Sequence, residues 1–480
     1  MSRTDDRLPG HAVLPEPELA FHPEREEDRH EHPLQGLLRY GPYSRSLINH
    51  VVDPIRVAAI LPSGSRGILG NLLQELERAH QPRERRAYLV DFPGFSRVFG
   101  VRVVPGPAPV QLELPAGVGR EIGTSDRPHL VLAEHLTHAI SALNRMRSSF
   151  DVLIIYLPDA WGACFKGGAD EDFDLHDYVK ATTAAVGIPT QILQEKGALA
   201  YYCRASVMWR LGIALYAKAG GVPWKLADAD PETAYIGLSY AVRPAEDRGP
   251  RFVTCCSQVF DSDGAGLEFL TYDTADVHVE RDNPYLSRAE MRRVMSQSLA
   301  LYQRRHAGRM PRRVMVHKST EFKDDEVEGC FDSWRAAEGL DLIQVQTDVA
   351  WRGIQMDPPA PGQAKGEVGG YPCRRGTYVV LGGREVLLWT QGNAPTAVGG
   401  KAFFKEGKGI PSPILLTRFA GHGSWDEGCR AALGLTKMDW NNDSLYDRLP
   451  VTLSYAQVLA KTIKRMPILS GKPYEFRFFM

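Results

Sequence analysis

Apolar residues along this chain fall into short continuous runs separated by stretches of helical spacing. Ile55-Arg56-Val57-Ala58-Ala59-Ile60-Leu61 is almost entirely apolar, the pattern of a strand buried on both faces. Residues 68–80 follow it with Ile68, Leu72, Leu73 and Leu76 on one helical face. Ala87-Tyr88-Leu89-Val90 reads as a second short strand, 130–148 as a helix, and Asp151–Leu157 as another strand buried on both sides. Helix 174–186, strand 189–193 and helix 198–219 complete the first half. Buried strands alternating with helices predict an α/β arrangement, an open parallel sheet covered by helices.

The pattern changes after Asp228-Ala229-Asp230-Pro231, where proline and turn residues break the chain near 225–232. Runs at 233–242, 251–260 and 266–273 follow in hairpin succession, then a helix at 287–307. Strand 312–317, helix 324–338, strand 341–347 and a closing helix at 453–466 come next. Three antiparallel strands followed by alternating helices and strands is the order of an RNase H-like fold. Residues 1–35, with five prolines and mixed charge, predict a flexible acidic tail that buries no core. Its His22, His30 and His32 lack the companions and spacing of a metal site.

Composition narrows the class. At 480 residues, 43% hydrophobic and 24% charged, the chain has the make-up of a soluble protein of several domains. No apolar run approaches the ~18 residues of a membrane span. Seven cysteines without a C-x-x-C pair fit a reducing cytoplasm. The formal net charge is only −1, so indiscriminate nucleic-acid binding is not expected. Residues 401–480 nevertheless carry twelve Lys/Arg against seven Asp/Glu, which permits a local phosphate-binding surface. Pro62-Ser63-Gly64-Ser65-Arg66-Gly67 stands between strand and helix but lacks the Gly-Lys-Ser/Thr ending of a phosphate-cradling loop. It reads as a tight turn.

Several short motifs, in order, resemble those of short prokaryotic Argonautes: Tyr40-Gly41-Pro42-Tyr43, Phe92-Pro93-Gly94-Phe95, Tyr156-Leu157-Pro158-Asp159, Gly221-Val222-Pro223-Trp224-Lys225-Leu226 and Leu435-Thr436-Lys437-Met438-Asp439-Trp440-Asn441. The resemblance covers about 36–480. It implies a Rossmann-like MID domain (36–228) that binds a guide 5′ end, followed by an RNase H-like PIWI domain (229–480). His176 and Lys180, four apart on a helix, project to one side. With Gln191 and Lys218 they match the family's 5′-phosphate ligands. A further lysine of many members is Ala214 here. The family also implies a Mg²⁺ ion at the guide phosphate, held by the terminal carboxylate of Met480.

The same resemblance implies an emptied nuclease centre. RNase H-like nucleases hold two metal ions with carboxylates. Ser239, in Tyr235-Ile236-Gly237-Leu238-Ser239, stands at the first; Ser319, after His317-Lys318, at the second; Gln457, in Tyr455-Ala456-Gln457, at the third. A hydroxyl and an amide carry no charge to hold such ions. The implied function is recognition of complementary invader DNA by an RNA guide, without cleavage. A partner carrying an APAZ region would form a heterodimer with the chain and supply the chemistry of abortive infection. A sirtuin-like NAD-degrading partner is favoured by the segment 410–429, with TIR or nuclease partners as alternatives. Arg375, Lys401, Lys405, Arg418 and Lys437 are candidate contacts to the nucleic-acid backbone. Two other readings remain: an active nuclease using Asp261, Asp263, Glu268 or Glu321, and a nucleotide-binding α/β enzyme.

Overall fold

Strand Ile55–Leu61 sorts its side chains strictly by parity. Val57, Ala59 and Leu61 enter one core, while Ala58 and Ile60 enter a second core on the opposite face. Strand Val152–Leu157 repeats the division, with Val152, Ile154 and Tyr156 on one side and Leu153, Ile155 and Leu157 on the other. This two-sided burial is what makes both strands read as unbroken apolar runs. The two strands pair in parallel, flanked by Val103–Pro105 on one edge and Thr190–Gln194 on the other, and Gln111–Glu113 also pairs with Ile55–Leu61. Helices Arg66–Leu76, Pro128–Asn144, Leu175–Ala185 and Arg204–Lys218 belong to this unit. The computed structural model describes residues 10–47, 51–169, 171–243, 251–259, 268–274, 276–280, 283–356, 359–369, 372–400, 409–466 and 473–480.

The second unit is built on a ten-stranded sheet. Its centre is the parallel set Thr233–Arg243, Arg313–Lys318 and Gly339–Gln346. Arg251–Val259, Glu268–Thr274 and Tyr474–Glu475 extend it antiparallel on one side. Ile414–Ala420, Glu385–Leu388, Thr377–Gly382 and His11–Val13 extend it on the other. Parity again separates two layers. Ile236, Leu238, Val314, Val316 and Leu342 pack with Met291, Val294 and Met295 of helix Arg288–Arg305 and with Cys330 of helix Asp324–Ser333. Helix Val451–Ile463 covers the opposite face. It lies so close that a Cβ at Gly237 would sit 1.7 Å from the Thr452 carbonyl oxygen, so only glycine fits there. His317 Nδ1 lies 2.9 Å from Thr452 Oγ1, fixing helix to strand. Among the described residues no helix is long and apolar enough to cross a membrane.

Two expectations are corrected. Residues 10–35 are not a flexible tail. Their strand His11–Val13 joins the ten-stranded sheet, and Leu19–Ala20 pairs with both Arg29–His30 and Lys225–Leu226. Leu14, Leu19 and Phe21 are buried, and the Phe21 ring fills the space beside Gly36, where a Cβ would come within 2.0 Å of it. His32 caps helix Pro33–Tyr40 and its Nε2 lies 2.7 Å from the Tyr88 carbonyl oxygen. The segment is locally too polar to form a core, but it inserts alternate apolar residues into cores made elsewhere. Ala87–Val90, read as a strand, is a turn in which the Tyr88 and Leu89 amides donate to the Arg85 carbonyl. Its apolar side chains reflect burial, not strand pairing.

Candidate nucleic-acid interface

Four of the sequence-selected residues come together where the first unit meets the last residues of the chain. Helix Leu175–Ala185 begins at Asp174, whose carboxylate accepts from the Asp177 amide, and carries Lys180 on its buried face. Lys180 Nζ donates to the Thr190 carbonyl at 2.6 Å and to the main-chain oxygen of Met480. Strand Thr190–Gln194 carries Gln191, and the last turn of helix Arg204–Lys218 carries Lys218. Lys218 Nζ donates to Gln191 Oε1 at 2.8 Å. Met480 is buried, held by the run Phe476–Met480 against Tyr455, Trp440 and Phe269.

Both lysines are fully enclosed, yet among the described residues neither has a carboxylate side chain within ion-pair distance. Burial pushes the Lys180 amine down to about 7. Burial also holds Lys218 well below the usual lysine range, with repulsion from Lys180 adding to it and Asp439 partly opposing it. Asp439 is itself engaged by the Tyr455 hydroxyl. In the sequence Asp439 stands in the motif Leu435–Asn441, and nothing local marks its electrostatic effect on Lys218. Ala214 is buried in the same helix as Lys218, one turn earlier.

His176 does not join the amines. It stands one turn before Lys180, 53% exposed, with Nδ1 3.4 Å from Asp177 Oδ1. Asp174, His176 and Asp177 are the described residues whose ligand atoms gather closely enough for a metal ion. At Met480 the fit to Mg²⁺ is partial. Its main-chain oxygen is already taken by Lys180 and Gln191 Oε1 by Lys218. A cation there would need a bound anion to bring most of its oxygen ligands.

The second predicted site lies at the carboxyl ends of the parallel strands. Ser239 shares its sheet face with Gly237, the face covered by helix Val451–Ile463, and is nearly buried. Ser319 follows directly on strand Arg313–Lys318 and is exposed. Since Leu238 is in register with Lys318, Ser239 and Ser319 follow side by side. Gln457 is exposed on the covering helix. Of the four carboxylates of the active-nuclease reading, Glu268 pairs with Arg305, and Glu321 with Lys323 at 2.6 Å. Asp261 and Asp263 lie outside the described residues.

Three of the five candidate backbone contacts are corrected by their surroundings. Arg375 and Lys437 are buried around Glu16, with Arg375 Nε 3.0 Å from Glu16 Oε2 and Lys437 Nζ 2.6 Å from Oε1. Arg375 also donates to Thr436 Oγ1 at 2.8 Å and to Leu433 O at 3.1 Å. Burial alone would raise the Glu16 carboxyl; the charges of Arg375 and Lys437 overcome it and hold Glu16 below its ordinary value. Arg418 lies 3.1 Å from Asp341 and stacks 4.1 Å from the centre of the Trp425 ring. These cations are spent inside the protein. Lys401 and Lys405 lie outside the described residues.

A parallel sheet unit followed by an RNase H-like unit, with helix Val451–Ile463 across the central strands, defines an Argonaute-like, nuclease-type fold. Clostridium butyricum Argonaute bound to a guide DNA (5′ deoxycytidine) and a 19-mer target DNA superposes with a TM-score of 0.63 at 15% identity, covering 96% of this chain and 54% of that one. Drosophila Piwi superposes with a TM-score of 0.63 at 14% identity, covering 98% of this chain and 56% of that one. The chain thus spans little more than half the length of these structures. No protein-family model and no curated protein matches the sequence.

Proposed function

We propose that the chain holds the 5′-phosphorylated end of a guide RNA in the pocket of Lys180, Gln191, Lys218 and Met480, within a MID domain. Its PIWI domain then presents the guide to complementary single-stranded DNA without cutting it. The observation that carries this reading is the pair of buried amines with no carboxylate side chain beside either of them among the described residues. A buried charge is costly unless it is paired, and a terminal phosphate dianion would pair both amines at once. His176, exposed one turn before Lys180, would meet the first nucleotide. With the phosphate bringing most of the oxygen ligands, Met480 would help to hold a Mg²⁺ ion, which would supply positive charge that Ala214 does not.

The absence of cutting is proposed from Ser239, Ser319 and Gln457, which offer no anionic ligand for the two metal ions of this chemistry. Base pairing would supply the sequence specificity, and the protein would read ends and backbone. On the motif resemblance, the partner is an APAZ-bearing effector in the cytoplasm, sirtuin-like in preference to TIR or nuclease. Target recognition would switch it on in abortive infection. The test pairs two assays. A 5′-phosphorylated guide should bind far more tightly than its 5′-hydroxyl counterpart, and guide-loaded protein should leave a labelled target intact with Mg²⁺ or Mn²⁺. Equal binding of the two guides refutes the pocket; guide-dependent cleavage at a fixed position refutes the inactive centre.

A further inference from the structure

We propose that the loop carrying Trp351 is a base-stacking finger that grips the bound nucleic acid to one side of the Ser239–Ser319 sheet end. The proposal rests on the reading above. The loop leaves strand Gly339–Gln346 at its carboxyl end. That strand is parallel to Arg313–Lys318 and Thr233–Arg243, so the loop emerges from the same sheet end as Ser239 and Ser319. It then turns outward across the strand ends. Gly353 lies flat on Trp389, where a Cβ would come within 2.7 Å of the indole ring. Trp389 follows strand Glu385–Leu388, four strands from Thr233–Arg243. At about 4.8 Å per strand the loop runs roughly 10 to 19 Å from the Ser239 strand. That is about three to six nucleotides at 3.4 Å each.

The composition of the loop suits that position. Trp351 is 52% exposed and Ile354 69% exposed, with Met356 and Val368 also exposed beside them. Arg352 and Lys365 are exposed on the same loop, as are Asp348 and Glu367. The finger is braced: Met356 and Val368 form an antiparallel bridge, the Gly369 amide donates to the Gln355 carbonyl, and Arg352 donates to the Trp351 carbonyl at 2.7 Å. An indole held at the surface by a braced loop is an arrangement that stacks on a nucleobase. A protein partner could also cover an apolar loop. The sheet end shared with Ser239 and Ser319 favours a nucleic-acid strand.

The experiment uses the full chain loaded with a 5′-phosphorylated guide. Target strands carry 2-aminopurine at successive positions, and affinity is read by anisotropy. Trp351→Ala should weaken target binding about tenfold and relieve 2-aminopurine quenching at one or two neighbouring positions. Trp351→Phe should restore both, and thermal melting should be unchanged in each variant. Unchanged affinity and quenching in Trp351→Ala, with wild-type binding intact, overturns the finger and leaves the loop to a protein partner. Failure of the wild type to bind target through the guide overturns the underlying functional reading instead.

Discussion

Two clusters of buried cations in this protein have opposite fates. Around Glu16, Arg375 and Lys437 enclose a carboxylate and spend their remaining donors on carbonyl and hydroxyl oxygens. Around Gln191, Lys180 donates to the Thr190 carbonyl and to Met480, and Lys218 to the Gln191 amide oxygen, with no carboxylate side chain beside either among the described residues. The first cluster is complete and joins residue 16 to Arg375 and Lys437, more than 350 positions away. The second lacks such a side chain among the described residues, and on the proposed reading a guide phosphate would fill that place. Burial of a cation alone therefore says little about function. Its partner decides whether the charge is structural or awaiting an anion.

The largest expected effect breaks the incomplete cluster. Lys180→Ala with Lys218→Ala should abolish the preference for a 5′-phosphate, lowering affinity about 10²-fold or more, since hydrogen bonds to charged groups contribute about 1.5–3 kcal/mol each. Paired titrations with phosphorylated and hydroxyl guides measure it. Next is the complete cluster. Glu16→Ala leaves two buried cations without their counter-charge and should destabilise the fold by about 3–5 kcal/mol, seen in denaturant melts. The converse prediction sharpens the contrast: Arg375→Met should cost stability while leaving the phosphate preference of the folded protein intact.

Acid gives a smaller effect. Burial pushes His32 down to about 3 and His317 down to about 4, against 6.5 when unfolded. The folded state therefore binds fewer protons between these values, so stability falls as pH drops below 6.5, by up to a few kcal/mol. Melting temperatures between pH 7.5 and 4.5 test this. The smallest effect concerns Lys180. With its amine near 7 in the free pocket, a bound dianion should raise it, so binding takes up as much as about one proton per guide between pH 7 and 9. Calorimetry in buffers of different ionisation enthalpy would detect it, and affinity should fall as pH rises. For the ligand-free protein the sign is the reverse. A lysine depressed below 10.5 makes the fold more stable as pH climbs from about 7 towards 10.5.

Much of this was legible in order and spacing. Continuous apolar runs placed the central strands within a residue or two, because burial on both faces leaves no polar position to confuse the pattern. The four-residue step from His176 to Lys180 was legible too. Even so, the structure carries Lys180 inward and leaves His176 at the surface with Asp177. Helical periodicity gives a shared side, not a shared depth. The N-terminal segment and the cations Arg375, Arg418 and Lys437 went astray for one reason: each acquires its environment from residues remote in sequence.

The sequence by itself determined the succession of elements, the two-unit organisation and the neutral residues at Ser239, Ser319 and Gln457, because apolar periodicity and side-chain chemistry are local properties. Only the tertiary structure decided which buried lysines have no carboxylate side chain beside them among the described residues, that residues 10–35 tie both units together, and that Gly237 admits helix Val451–Ile463 onto the sheet. Charge compensation and close packing depend on distances between segments hundreds of residues apart, and those distances exist only once the chain is folded.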